Sequence, residues 1–188
     1  MERLDYKVVA GSDNIEITEL VNDSRKVVPG SVFVCISGAV SDGHQYVKDV
    51  AERGAAAVIV EKDVEVPEGL TVIKVENTRY ALALMSAAYF GYPAEKLKTI
   101  GITGTKGKTT TTYMVKAILE EVGHKVGLIG TIEAIIGDKT IPSNNTTPES
   151  YTIQKYFAQM VEAGCDCVVM EVSSQGLKLH RTAGIMFD

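Results

Sequence analysis

The stretch GITGTKGKTTTTYMVKAILEE, from Gly101 to Glu121, carries the most chemistry in the chain. A short apolar run meets a turn broken by Gly104 and Gly107, then Lys108, then four threonines that open a helical pattern. Strand, glycine loop and helix in this order make a phosphate cradle. The glycines let backbone N–H groups turn inward, and the helix aims its positive end at the same spot. Lys108 is placed to reach the β- and γ-phosphates, and the Thr109 hydroxyl to take Mg²⁺. The strict spacing asks for glycine five residues before Gly107, where Ile102 stands, so the loop is a variant.

Glu171 follows the apolar run VVM and precedes SSQG. Open α/β sheets collect their chemistry at the C-terminal ends of parallel strands. A carboxylate there would hold Mg²⁺ against bound phosphates; taken alone, it reads equally as an exposed strand-end carboxylate. SNNTTPES (143–150) offers hydroxyls, amides and backbone donors suited to an anionic or sugar ligand, with Thr147 also the N-cap of a following helix. Arg181 reads either as a phosphate partner or as a solvated cation. His44, His124 and His180 show no usable spacing and read as surface or satisfied groups. CDC (165–167) has no matching Cys or His pair, so Cys165 and Cys167 read as core residues on one face of a strand rather than as a metal site.

The elements that must position these groups alternate in type. SVFVCI (31–36), AAVIV (56–60) and TVIKV (71–75) read as strands, and YVKDVAERG (46–54) and NTRYALALMSAAYFG (77–91) as helices, the second capped by Asn77. GYPAEKLK (91–98) breaks the pattern and sets a domain boundary. TIGIT, the helix from Thr109 and KVGLIG form a βαβ unit, which implies a parallel sheet. A hairpin over 132–141 turns at Gly137-Asp138, a helix over 148–164 starts with Pro148, and DCVVMEV (166–172) is a buried strand. GIMFD (184–188) starts like a further strand, which reads as the front part of something longer.

The chain has 188 residues, 45% hydrophobic and 23% charged, with net charge −5. That charge argues against a general nucleic-acid binder. The polar start MERLDYKVVAG has no signal core, and no apolar run approaches the roughly 20 residues of a membrane span. Three sparse cysteines suit reduced thiols, so the expected location is cytoplasmic.

Three separated stretches together resemble the Mur ligases of peptidoglycan synthesis. NDSRKVVPGSVFVCISGAVSDGHQYVKDVAERGAAAVIV is similar to the family's N-terminal UDP-binding domain. GITGTKGKTTTT is similar to its ATP loop, and NNTTPES with MEVSSQGLKLHR to its sugar-nucleotide and metal segments. The resemblance runs from Asn22 onward and is strongest to the branch adding the third amino acid. It implies uridine-side contacts at Asn22, Ser24, Ala39, Val40 and Ser41, and an ATP loop of Gly104, Thr105, Lys106, Gly107, Lys108, Thr109 and Thr110. It also implies muramoyl and diphosphate contacts at Asn145, Thr146, Thr147, Ser173 and Arg181. Mg²⁺ falls to Glu171 with Thr109, and Lys108 and Glu171 carry the catalysis. Three positions depart from the family pattern: Lys106 stands for the usual Asn, Gln175 for a frequent His, and Leu179 for a Gln contact.

The implied activity is an ATP-dependent carbon–nitrogen ligase. It would add lysine or meso-diaminopimelate, both left open, to UDP-MurNAc-L-Ala-D-Glu through an acyl phosphate. The implied fold is α/β, with a UDP-binding domain over 1–94 and the first half of a P-loop parallel-sheet ATPase domain over 95–188. A second metal-site histidine, a carbamylated lysine and an amino-acid-selecting domain would lie outside these residues. The complete enzyme is expected to be monomeric, with no nucleic-acid or membrane partner. The 188 residues alone are expected to bind nucleotides without catalysis and to self-associate through an exposed sheet edge. The ATP loop alone also fits other ligases of the superfamily, folylpolyglutamate synthetases included.

Overall fold

The computed structural model describes residues 4–38 and 41–188. Ala39 and Val40, two of the expected uridine-side contacts, lie outside the described residues. The chain divides into two compact units, one through Leu82 and one from Ala83 to Asp188. This division falls inside a helix, ahead of the break in GYPAEKLK.

The first unit is built on strands β1 (Tyr6–Ala10), β2 (Leu20–Val21), β3 (Val32–Val34), β4 (Ala57–Val60) and β5 (Thr71–Val75), in the order β1-β5-β4-β3-β2. β2 to β5 pair in parallel, and β1 runs antiparallel to β5. Every residue of β4 is buried, as its unbroken apolar run requires of a strand covered on both faces. Helix α1 (Val47–Glu52) buries Val47 and Val50 against Val58, Val60 and Val72. Helix α2 (Thr78–Tyr89) starts where Asn77 caps it, its side chain accepting the Tyr80 N–H at 2.9 Å.

The second unit holds β6 (Lys98–Ile102), β7 (Val126–Ile129), β8 (Glu133–Ile136), β9 (Lys139–Pro142) and β10 (Cys167–Glu171), in the order β6-β10-β7-β8-β9. β6, β10 and β7 are parallel, and β8–β9 is the expected hairpin around Gly137-Asp138. Helix α3 (Lys108–Glu121) joins β6 to β7, but those strands are not neighbours: β10 lies between them. Helix α4 (Ser150–Glu162) buries Ile153, Phe157 and Met160 on one helical stripe. It closes onto β7 at Gly127, where an added Cβ would fall 2.4 Å from the Met160 sulfur.

Four expectations change. Helix α4 begins at Ser150, with Glu149 as N-cap and no side-chain cap, rather than at Pro148. Thr147 is not its cap because its hydroxyl is committed to β10. Cys165 precedes β10 and packs with Met160 and Val168, whereas Cys167 packs with Val126 and Val169. The strand alternation does not reach back to Cys165, so the two thiols do not share a face. Residues 186–188 form no strand: they run beside β6 through Thr99, whose hydroxyl donates to the Met186 carbonyl at 2.6 Å. Helix α5 (Ser174–Lys178), like β1, carried no expectation. Among the described residues, no helix is long and apolar enough to cross a membrane.

Candidate functional site

Glu171 closes β10 in register with Ile102, the last residue of β6. The glycine loop therefore leaves the sheet beside a carboxylate. This register also explains the variant spacing, because Ile102 is a ladder residue and the loop begins after it. Gly104 and Gly107 have φ of 147° and 81°, values that side-chain-bearing residues rarely adopt. Gly107 is the N-cap of α3 and provides no side-chain acceptor, so a bound anion would complete the first turn. The Lys108 ammonium donates to the Gly104 carbonyl at 2.8 Å, which holds it over the loop. Thr109 and Thr110 lie in the first turn of α3, and Thr105 and Lys106 are exposed.

Glu171 is only 1% exposed, which removes the reading of a solvated strand-end carboxylate. Its Oε1 accepts the Thr131 N–H at 2.9 Å, and its Oε2 accepts the Thr131 hydroxyl at 3.1 Å. A Cβ at Gly130 would sit 2.6 Å from Oε1, so this exit from β7 is shaped around the carboxylate. Among the described residues these donors to the carboxylate, a backbone N–H and a hydroxyl, are both neutral. A buried carboxylate held only by neutral donors, with lone pairs to spare, fits a hard cation such as Mg²⁺.

The SNNTTPES segment is tied to the same strand end. The Thr147 hydroxyl donates to the Glu171 carbonyl and accepts the Ser173 N–H, both at 2.9 Å. Ser173 caps α5 through the Gly176 N–H at 3.0 Å. A Cβ at Gly176 would lie 2.8 Å from Thr147 Cγ2, so glycine permits this packing. Arg181 is not solvated: its guanidinium donates to the Thr147 carbonyl at 2.8 Å and pairs with Glu149. Among the described residues, its buried Nε has no partner. Asn145, Thr146, Thr147, Ser173 and Arg181 line one cavity of about 290 Å³ with Thr131 and Gln175. Nearby, Tyr113 of α3 donates to Glu133 at 2.7 Å; burial first, then that carboxylate, push its phenol up to about 12.

In the first unit, Asn22, Ser24 and Ser41 line a cavity of about 710 Å³. Arg25, Lys26 and Arg53 bring positive charge to it, and Tyr46, whose hydroxyl lies 3.0 Å from Ser41 Oγ, brings a ring. His44 is satisfied, with Nδ1 at 2.6 Å from Asp42 and Nε2 accepting the Glu61 N–H at 3.0 Å. Lys62 and then His44 hold the Asp42 carboxyl far below the usual range.

Thr131, Tyr46 and Arg53 were not singled out from the sequence. Thr131 had a signal: GT follows the apolar run VGLI, the same strand-exit position that Glu171 occupies after VVM. Tyr46 and Arg53 stand seven residues apart with Asp49 between them, a helical polar face beside the cavity.

Two family profiles match the chain. The Mur ligase middle domain matches residues 102–188, and the Mur ligase family catalytic domain matches residues 16–90. The chain belongs to the Mur ligase family. Among curated Mur ligases, a UDP-N-acetylmuramoyl-L-alanyl-D-glutamate--2,6-diaminopimelate ligase of Clostridium perfringens is 48% identical over 188 residues, which is 100% of this chain and 39% of that protein. The Bacillus cereus protein of the same name is 48% identical over 186 residues, 98% of this chain and 37% of its own. The chain thus spans about two fifths of the length of these relatives. A solved structure named for the same ligase superposes with a TM-score of 0.74 at 24% identity, covering 89% of this chain and 34% of that one. The ligase MurF from Thermotoga maritima, solved in complex with ADP, gives 0.51 at 22% identity, covering 87% and 34%. These likenesses show the fold.

Proposed function

We propose that this chain supplies the ATP loop and the sugar-nucleotide platform of a ligase joining a diamino acid to UDP-MurNAc-L-Ala-D-Glu. The names of its relatives support 2,6-diaminopimelate as that amino acid. The observation that carries the reading is the position of Glu171. One strand end adjoins the glycine loop through Ile102 and is bonded to Thr131 and Thr147 of the second cavity. Phosphoryl transfer from ATP to a substrate carboxylate needs the two ligands delivered to one such place.

In this reading Gly104–Thr110 cradles the phosphates of ATP, and Lys108 offsets charge as the γ-phosphoryl group moves to the free carboxylate of the substrate. The bond from the γ-phosphorus to ADP breaks as the acyl–phosphate bond forms. The amine of the diamino acid then attacks the acyl carbon, and phosphate leaves as the amide forms. Thr109 and Glu171 would hold Mg²⁺, which when bound supplies charge neutralisation between phosphate oxygens. Arg181, held by Thr147 and Glu149, orients an unpaired N–H for the anionic sugar nucleotide. Asn22, Ser24 and Ser41, with Ala39 and Val40, would take the uridine side in the first unit. Our reading keeps the domain boundary between residues 94 and 95, and the gap between the profile matches at 16–90 and 102–188 supports it. The need for ATP in the proposed reaction supports a cytoplasmic location.

Calorimetric titration of the chain with UDP-MurNAc-L-Ala-D-Glu, against UDP-GlcNAc as control, tests the reading. Binding is the readout because the chain spans only 39% of its relative. Selective uptake of the muramoyl dipeptide is expected. Equal affinity for both compounds, or none for either by a chain whose circular dichroism shows it folded, overturns the reading.

A further inference from the structure

His124, Asp166 and Cys167 meet at the end of β10 opposite Glu171. His124 stands just beyond α3, Asp166 precedes β10, and Cys167 opens it. The parallel pairing of Cys167 with Val126 draws the turn before β7 to the turn before β10. His124 Nδ1 lies 2.6 Å from Asp166 Oδ2, while Asp166 Oδ1 accepts the Lys125 N–H at 3.0 Å. The Lys125 ammonium is engaged elsewhere, donating to the Ala163 carbonyl at 2.6 Å. One nitrogen, one carboxylate oxygen and the Cys167 sulfur all lie within 4.8 Å of one another.

We propose that His124, Asp166 and Cys167 form a binding site for a divalent cation of borderline softness, of the Zn²⁺ class. The donor set decides the class. A thiolate with an imidazole and a carboxylate suits Zn²⁺, whereas Mg²⁺ keeps to oxygen. The sequence motif CDC lacked a partner, and the fold supplies one 42 residues upstream of Asp166. Entry is through the two outer donors: the His124 and Asp166 side chains are 36% and 54% exposed, whereas Cys167 is buried beneath them. Tetrahedral zinc with ligands at about 2.0–2.3 Å brings its donors to about 3.5 Å apart, so a small rotation of the half-exposed imidazole completes the site. Binding forms the sulfur–metal bond and sends the thiol proton to solvent. It also replaces the direct His124–Asp166 contact and leaves a fourth position for water. The bound ion would pin the α3–β7 turn to the α4–β10 turn.

The test is titration of the chain with Cd²⁺ in excess Mg²⁺, followed by thiolate-to-metal charge-transfer absorbance, then displacement with Zn²⁺. A single equivalent with the charge-transfer band is expected, reversed by Zn²⁺. The band should vanish in Cys167→Ser, and His124→Ala and Asp166→Asn should each weaken binding by at least about tenfold. Glu171→Gln and Cys165→Ser should leave it unchanged, which separates this site from the phosphate side and from the neighbouring thiol. No band in the wild-type chain, or a band that survives in Cys167→Ser, overturns the proposal. If Cys167→Ser does not fold, the two exposed-residue variants decide, and unchanged affinity in both overturns it.

Discussion

The two ends of β10 carry unlike chemistry from one piece of topology. Because β10 lies between β6 and β7, each of its ends meets a turn of β7: Gly130-Thr131 at the exit, His124-Lys125 at the entrance. At the exit, Glu171 is buried and both its oxygens are gripped by one threonine. At the entrance, two of three donors, His124 and Asp166, stand about half in solvent and bond each other at the surface. The exit thus presents a buried carboxylate preorganised by the sheet, the kind of placement that the proposed reaction would need. The entrance is a mixed nitrogen, oxygen and sulfur cluster whose geometry a ligand would finish. Substitutions should therefore hurt function and stability at the exit far more than at the entrance.

The largest expected effect is at the loop beside Glu171. On the proposed reading, Lys108→Ala in the full-length protein should lower ligase turnover by about 10³-fold or more, since it removes the ammonium assigned to offset phosphoryl charge. Its folding should be unaffected, because the Lys108 ammonium bonds the exposed loop at Gly104. Near-normal turnover in that variant would dissolve the functional side of the comparison. Next comes Thr131→Val, which keeps the shape and removes the hydroxyl donor to a buried carboxylate. It should cost about 1–2 kcal/mol in urea unfolding. Asp166→Asn, at the exposed entrance, should barely move the midpoint, because ion pairs in solvent contribute little. Equal losses from the two would show that the ends do not differ in rigidity.

What the sequence made legible follows the same division. The strand, glycine loop and helix around Lys108 could be read because they are contiguous and the spacing is local. Glu171 could be read as a strand-end carboxylate, but not as buried. Its burial depends on Thr131, which arrives through a strand pairing that no local pattern encodes. Thr147 was misread as a helix cap for a related reason: its hydroxyl bonds β10, 24 residues away. Cys167 and His124 were dismissed singly because only the β7–β10 register joins them. β1 escaped notice because its burial pattern is that of an exposed edge strand, so the apolar signal is thin.

The smallest effect sharpens how closely α3 is coupled to the exit. Tyr113 reaches from α3 to Glu133 on β8, so the phenol links the helix behind the phosphate loop to the strand following Thr131. Burial and the Glu133 carboxylate push its ionisation from 10.0 to about 12. Raising a phenol's pKa on folding favours the neutral form. Its contribution to stability is therefore complete below pH 10 and is lost as pH climbs towards 12. Tyr113→Phe should destabilise the chain by about 1 kcal/mol near neutral pH. The gap from wild type should narrow between about pH 10 and 12, since phenylalanine cannot ionise. Urea midpoints across that range give one readout. Phenolate absorbance gives another: Asp13 also holds the Tyr6 phenol up, so the late-titrating tyrosines should be one fewer in the variant. A gap that stays constant with pH, with the late phenolate signal unchanged by the substitution, would mean that Tyr113 is not coupled to Glu133.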